Sequence, residues 1–330
     1  MHILPKHNTI RVFEGFAGYG GATFGLRRSG LRFKVVGSSE NDPFASELLK
    51  VNFPDVNNYG DITTINPKEL PDFDMFTGGF PCQPFSSAGL QNGEDDKYGR
   101  GTLFYDIFRI LNEKRPKYVL LENVKGLTAK KFESTFNRIK ELFKEMGYGD
   151  MAYAILNSKD YGVPQNRERL WMFAMQGGLP DSFNIVPPKK ELKYRFGDFL
   201  YPDDVPPEIR LSDKQIAHLK VKHNISSFNV PEPLCLDIYN KKIKTDALCI
   251  TITQPEHNSL RVIEPIKDGK ERVRKMSVEE QFHFMGFEKG ELNFAGQSYS
   301  QLSKRAGNGW DVNLVGILLN HIFKQILDEI

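Results

Sequence analysis

Cysteine is scarce in this chain. Only Cys82, Cys235 and Cys249 occur in 330 residues, too few and too odd a number for a disulfide framework, so the expected compartment is the reducing cytoplasm. Neither a Cys-x-x-Cys pair nor a His-Glu-x-x-His run is present, and no protein-bound metal is expected. His218 and His223 read as surface residues. No apolar stretch approaches the ~20 residues of a membrane span. The segment from Met1 to His7 lacks the apolar core of a signal peptide. Net charge is only +2, which removes any chain-wide polybasic signature while leaving room for one positive face. Internal repeats and low-complexity tracts are missing as well.

What remains is an ordinary globular composition, 40% hydrophobic and 26% charged, long enough for one large domain and a smaller one. The first half alternates two periodicities. Strands are predicted at Ile10–Phe13, Phe33–Gly37, Asp74–Thr77, Tyr118–Leu121, Tyr153–Leu156 and Leu170–Phe173. Helices are predicted near Ala22–Arg28, Pro43–Asn52 and Phe104–Leu111, and over the stretch where Phe132, Phe136, Ile139, Phe143 and Met146 recur at helical spacing. Repeated βα units argue for a doubly wound, mostly parallel sheet. After about Gly178 the rhythm stops. Pro187-Pro188, Pro202, Pro206-Pro207, Pro231 and Pro233 interrupt the chain, and a separate irregular domain is expected from Leu179 to Arg272. Helical pattern returns at Ser277–Phe284 and in the strongly apolar run Val312–Leu327, which needs a large surface to cover it.

Several segments carry chemistry. Glu14-Gly15-Phe16-Ala17-Gly18-Tyr19-Gly20-Gly21 sits between a strand and a helix, where glycines let backbone approach a nucleotide-type ligand at a helix N-terminus. The plainer alternative is a tight strand–helix turn. Glu40 closes the second strand and suits ribose hydroxyls, or is a solvated loop acid. Asp61-Ile62 would meet an adenine amino group. Gly79-Phe80-Pro81-Cys82-Gln83 leaves the third strand with Cys82 held out on a sharp turn, as a nucleophile must be. Glu122-Asn123-Val124 follows the next strand. Gln165-Asn166-Arg167-Glu168-Arg169 places its two arginines on one face by period-two spacing, just before a strand.

Together these segments resemble the bacterial DNA cytosine-5 methyltransferase family, nearly end to end and in the family's order. Arg100-Gly101-Thr102-Leu103-Phe104, Arg274-x-x-Ser277-x-x-Glu280, Gly286-Phe287 and Gly307-Asn308 add to the likeness. The resemblance implies a Rossmann-like S-adenosylmethionine-dependent methyltransferase domain, an α/β fold with a doubly wound mixed sheet, and a smaller irregular target-recognition domain. It divides the chain into 1–178 for catalysis and cofactor, 179–272 for target reading and 273–330 as the returning segment. By resemblance, Phe16, Ala17, Gly18, Gly20, Gly21, Glu40, Asn41, Asp61, Ile62, Gly79, Pro81, Leu103, Asn308 and Gly309 hold S-adenosyl-L-methionine, without a metal. Cys82 adds to cytosine C6; Glu122 contacts N3 and the exocyclic amine, which needs a carboxyl with a raised pKa. Arg167 and Arg169 serve the ring oxygen and its supporting network, although a surface ion pair competes as a reading of Arg167. The base that removes the C5 proton has water as its candidate.

The target atoms lie inside a stacked duplex, so the base must be flipped out. The polar loop Ser86–Arg100 would close over it, with Gln83, Ser86, Ser87 and Arg100 contacting DNA. Thr251 matches a family threonine near the target phosphate, or is simply a β-branched strand residue. Lys220-x-Lys222 and Lys241-Lys242-x-Lys244 are candidate phosphate contacts, with a solvated charged face as the commoner explanation. The implied partner is double-stranded DNA, met by a monomer in the cytoplasm, with a cognate restriction endonuclease acting on the same site without direct binding. Departures from the family pattern are Glu14 for a frequent Asp, Gly15 for a bulky apolar residue, and Gly309-Trp310-Asp311 after the last motif. A tRNA-methylating relative would carry Cys-Phe-Thr, whereas Cys235 precedes Leu236 and Cys249 precedes Ile250. A silent DNA-binding homologue would not need Cys82, Glu122 and Arg169 together. A dehydrogenase explains neither Cys82 nor the arginines.

Overall fold

The computed structural model describes residues 9–81, 103–257 and 259–327. The chain divides into two compact units. Within the described residues, the first draws on Met1–Leu156, Glu168–Pro188 and Val315–Ile330, and the second on Asn157–Arg167 and Lys189–Leu314.

In the first unit, β1 (Ile10–Gly15), α1 (Gly21–Ser29), β2 (Phe33–Ser39), α2 (Pro43–Asn52), β3 (Met75–Gly79), α3 (Leu103–Lys114), β4 (Tyr118–Val124), α4 (Glu133–Glu145), β5 (Ala152–Asn157) and β6 (Glu168–Met175) follow one another. The strands form one sheet in the order β2-β1-β3-β4-β6-β5. β1 pairs in parallel with β2 and β3, and β3 with β4, whereas β6 runs antiparallel to β4. The sheet is therefore mixed. The central strands are continuous apolar runs because both faces are covered: Met75, Phe76, Leu120 and Leu121 are fully buried. α2 begins where the residues say it should, with Pro43 at its first position and the Asp42 carboxylate accepting from the Phe44 and Ala45 amides.

The second unit holds α5 (Asp213–His223), β7 (Leu234–Asp237), β8 (Lys242–Lys244), β9 (Leu260–Lys267), β10 (Lys270–Arg274), α6 (Val278–His283) and α7 (Tyr299–Asn308). Its strands form an antiparallel sheet, β10-β9-β7-β8. The proline-broken stretch expected to be irregular thus contains a four-stranded sheet. β7 has four residues and β8 three, too few for alternation to register, and the eight-residue β9 contains Pro265, which reads as a break. α5 had a legible start, the capping box Ser212/Gln215.

One sequence motif is explained here as a staple. The fully buried Arg274 guanidinium binds both Glu280 carboxylate oxygens at 2.7 Å and Glu264 at 2.7 Å. Glu280 also accepts from the amides of Ser277 and Tyr201. A buried charge pair is tolerated when its remaining hydrogen bonds are met in this way.

The last helix, α8 (Val312–Leu327), follows directly. From Val315 onward it lies in the first unit. The Asn320 side chain donates to the Ser29 carbonyl at the end of α1, and a Cβ on Gly25 would meet Val315 Cγ1 at 2.2 Å, so α1 and α8 touch where only glycine fits.

Candidate active site

The cofactor-type loop is built on the carboxyl ends of β1 and β2. Phe16, Gly18 and Gly20 all take left-handed backbone conformations, with φ of 52°, 58° and 89°. At Gly20 a Cβ would strike the Phe53 ring at 2.4 Å, whereas at Gly18 nothing lies within 4 Å of that position. The first glycine is required by the protein's own packing. The second leaves open space beside backbone, as a ligand needs.

The loop is tied down by acids. Glu40 accepts from the Gly18 amide and the Asp42 amide, each at 2.8 Å, and Ala17 N donates to Ser39 O. Asn58 in turn holds the Glu40 backbone through both its amide and carbonyl. Asn41 donates to Asp61 at 3.2 Å. Donation from the Thr63 amide, opposed by burial and aided by Thr63 and Asn41 side chains, draws the Asp61 carboxyl below its ordinary value. Ile62 sends its side chain into the core, and its carbonyl accepts from Arg109. Leu103 is partly buried against the same core.

Two departures from the family pattern have physical reasons. Glu14, 3% exposed, reaches the start of α1 and accepts from the Ala22 amide and from the Thr23 amide and hydroxyl. Burial pushes its carboxyl up to about 7 against these donors. Gly15 stands where a bulkier residue is usual because the Phe76 ring occupies that space: a Cβ would lie 2.7 Å from Phe76 Cζ.

The ends of β3 and β4 come next. Gly79 is in register with Glu122, and the Asn123 side chain donates to the Phe80 carbonyl at 3.0 Å. Pro81 follows, exposed to solvent. Glu122 lies inside β4, not after it, and Val124 is in register with Arg169 of the antiparallel β6. Arg169 Nε stands 3.1 Å from Glu122 Oε1, with both side chains mostly buried. A second guanidinium nitrogen, Nη1, donates to the Glu168 carbonyl at 2.8 Å. Burial pulls the Arg169 guanidinium below its ordinary value while Glu122 opposes the shift. The structure thus brings Gly79, Phe80, Glu122 and Arg169 together at the end of the sheet where β3 and β4 finish and β6 begins. Asn123, whose pinning of Phe80 sequence reasoning did not foresee, completes the group. Cys82, Gln83, Ser86, Ser87 and Arg100 lie outside the described residues.

Arg167 belongs to the second unit and does not share the setting of Arg169. It is 2% exposed, and its guanidinium donates to the carbonyls of Ile252, Gly307 and Gly309 at 2.9, 3.1 and 2.7 Å. Gln165 bonds the Phe284 carbonyl and the Ile252 amide. Thr251 donates its hydroxyl to Asn166 O at 2.6 Å. The arginine motif, the Thr251 segment and the last motif are therefore one hydrogen-bonded assembly. Gly307 is required there, since a Cβ would meet the Thr253–Gln254 backbone at 2.5 Å. Asn308 is exposed at the end of α7. The unusual Asp311 caps α8, accepting from Asn313 and Leu314 amides at 3.0 and 3.1 Å. Burial raises its carboxyl above the ordinary range. Trp310 is buried beside it.

A mixed sheet with a glycine loop after β1, acids at the ends of β2 and β4 and helices between strands is the Rossmann-like fold of S-adenosylmethionine-dependent methyltransferases. Comparison with known proteins agrees. The family described as C-5 cytosine-specific DNA methylase matches residues 10–324. Type II methyltransferase M.HaeII of Haemophilus aegyptius is 37% identical over 333 residues, covering 98% of this chain and 95% of its own. M.NgoBI of Neisseria gonorrhoeae is 35% identical over 317 residues, covering 92% and 90%. M.NlaIV of Neisseria lactamica is 41% identical over 193 residues, which is 55% of this chain but only 45% of that relative. Among solved structures, a DNMT2 variant from Spodoptera frugiperda superposes with a TM-score of 0.73 at 20% identity over 96% of this chain and 100% of its own. S. pombe Dnmt2 does so with 0.69 at 18% identity over 97% and 99%. These two establish the fold alone. The chain belongs to the C-5 cytosine-specific DNA methylase family and is a DNA cytosine-5 methyltransferase.

Proposed function

We propose that the protein methylates C5 of a cytosine flipped out of one short duplex DNA sequence, through a covalent bond between the Cys82 sulfur and cytosine C6. The observation that carries this reading is the pinning of the Phe80 carbonyl by Asn123 at 3.0 Å, with Gly79 in register with Glu122. The strand that delivers Cys82 is thereby tied to the acid that the chemistry requires.

The residues divide the work. Cytosine C5 is a poor nucleophile. Cys82 thiolate adds to C6, and Glu122 delivers or shares a proton at N3, so that the electron pair is held as an enamine with its density at C5. Arg169, beside Glu122, orients the carboxyl and meets the ring oxygen. When bound, S-adenosylmethionine supplies an electrophilic methyl group. Phe16 to Gly21, Glu40 and Asp61 suit that group: open space at Gly18 admits it, and carboxylates match its ribose hydroxyls and adenine amine. Loss of the C5 proton to water then lets the thiolate leave C6. Arg167, whose Nη1 and Nη2 donate to backbone carbonyls, serves the supporting network by holding Gly307 and Gly309.

In functional terms residues 1–178 carry catalysis and cofactor, 179–272 read the target, and 273–330 complete the catalytic part. The compact unit around the reading segment is larger because it also contains Gln165 to Arg167 of the arginine motif and the last motif. Relatives named type II methyltransferases support a role in restriction-modification, beside an endonuclease acting on the same site, with a monomer in the cytoplasm as the working form. No helix among the described residues is long and apolar enough to cross a membrane. The test is bisulfite sequencing of unmethylated genomic DNA after incubation with protein and S-adenosylmethionine. Protected cytosines in one short context are expected. Absence of protection in a preparation that binds the cofactor would contradict the reading.

A further inference from the structure

Two large hydrophobic side chains of the target-reading segment stand almost wholly in solvent, Val221 and Tyr239, and only the second carries an aromatic ring. Tyr239 is 83% exposed, and among the described residues its ring meets no aromatic partner and its hydroxyl no hydrogen bond. An aromatic ring left in water forgoes the 150–250 Å² it would otherwise bury, so its position calls for a partner.

The backbone beneath it is braced. β7 and β8 close into a hairpin in which Asp237 is in register with Lys242, leaving the four-residue turn Ile238–Lys241. The buried Asp237 carboxylate accepts from the Asn240 amide at 3.1 Å, the Asn240 side chain at 2.7 Å and the Ser259 hydroxyl at 3.2 Å. Ile238 N donates to Ser259 O, and Lys241 N to Ile238 O. Lys241 takes a left-handed conformation, φ 54°, which the turn holds at a cost in strain. All four residues of β7 are buried, so the turn is rooted in the core. A ring presented on a braced turn loses little conformational entropy on binding.

The surroundings are cationic. Lys220 is paired with Glu271, and Lys244 with Asp246, so part of their charge is answered within the protein. Lys222, Lys241 and Lys242 are exposed and, among the described residues, form no ion pair. Lys222 and Lys241 both act electrostatically on His223, which brings the end of α5 beside the turn. A planar ring flanked by unpaired lysines fits a polyanion that offers base edges between phosphates.

We propose that the Ile238–Lys241 turn enters a groove of the DNA, with Tyr239 as a specificity-determining contact to base edges and Lys241 and Lys242 as phosphate contacts. This rests on the DNA-methylating function above. Tyr239 contributes discrimination; the lysines contribute affinity that is blind to sequence.

The experiment compares wild type, Tyr239→Ala and Lys242→Ala on duplexes carrying the recognised site and single-base variants of it, across a salt series. Tyr239→Ala is expected to lower discrimination against at least one altered position on the order of 10-fold, with an unchanged unfolding midpoint and methyl-donor affinity. Lys242→Ala is expected to weaken intact and altered sites alike and to lower the salt slope by about one. Wild-type discrimination retained by Tyr239→Ala, beside an active wild type, would overturn this proposal alone. A wild type that leaves no 5-methylcytosine in DNA would overturn the functional reading and this proposal with it.

Discussion

Asn123 of β4 donates its side-chain amide, in a buried setting, to the carbonyl of Phe80 just beyond β3, 3.0 Å away. That bond fixes the main chain two residues before Cys82. The same side chain accepts from the Val124 amide at 2.8 Å, so its orientation is set from both ends.

Replacing Asn123 by Ala orphans a buried carbonyl, at a cost of about 1–3 kcal/mol. The larger effect is expected on catalysis, since a displacement near 1 Å at the nucleophile costs roughly 100-fold. Single-turnover methylation should fall steeply while S-adenosylmethionine binding, measured by calorimetry, stays near wild type. Equal loss of both would mean that Asn123 matters only for folding.

The Arg169–Glu122 pair predicts non-additivity. A lysine at 169 supplies a point charge and cannot bond both Glu122 and the Glu168 carbonyl as the guanidinium fork does. Arg169→Lys should therefore lose at least about 10-fold in turnover, a step worth ~1.4 kcal/mol in the barrier. In denaturant unfolding, Arg169→Ala combined with Glu122→Gln should cost less than the two single changes summed, by about 0.5–3 kcal/mol. Simple additivity would show that the two side chains are not coupled.

Glu14 gives a pH dependence with a definite sign. Its carboxyl is raised from 4.5 to about 7 by burial, so the folded protein holds a proton there that the unfolded chain releases. The contribution is full below pH 4.5, and it is lost as pH rises toward 7. Glu14→Gln removes it. The stability difference between wild type and Glu14→Gln, measured by urea unfolding, should move against wild type by about 3 kcal/mol between pH 4.5 and pH 7.5. A difference independent of pH would place the Glu14 proton elsewhere.

Gly15 and Phe76 should behave as an exchangeable pair. Gly15→Leu forces a side chain into the space of the Phe76 ring and is expected to cost about 1–3 kcal/mol or more through overpacking. Phe76→Ala alone opens a core cavity, costing about 3–5 kcal/mol. The double variant should recover part of both losses in thermal unfolding. A sum of the single effects would contradict the shared-space explanation.

How much of this was written plainly in the residues depends on the range of the interaction. β1, β3, β4 and β6 were legible because each is a largely buried apolar run, and Val312–Leu327 because its apolar pattern is long. Glu122 and Arg169 were legible as motifs, but their pairing was not, since it follows from β6 running antiparallel to β4, a matter of topology. Arg167 read as a neighbour of Arg169 by spacing. Instead it is spent on carbonyls of residues 85, 140 and 142 positions away, contacts no local pattern encodes. The sheet of the second unit was not legible because β7 and β8 are short, the eight-residue β9 contains Pro265, and the prolines before it suggested loop. Asp311 looked anomalous only until α8 needed a cap.

The central claim is the covalent bond from Cys82 to cytosine C6, and one measurement addresses it directly. A duplex carrying 5-fluorocytosine at the target position has no C5 proton to lose, so the final elimination is blocked and the enzyme should remain attached after methyl transfer. Peptide mass spectrometry of the product should find the modified nucleotide on the peptide containing Cys82, and none with Cys82→Ser. Full turnover without an adduct, or attachment at Cys235 or Cys249, would contradict the account.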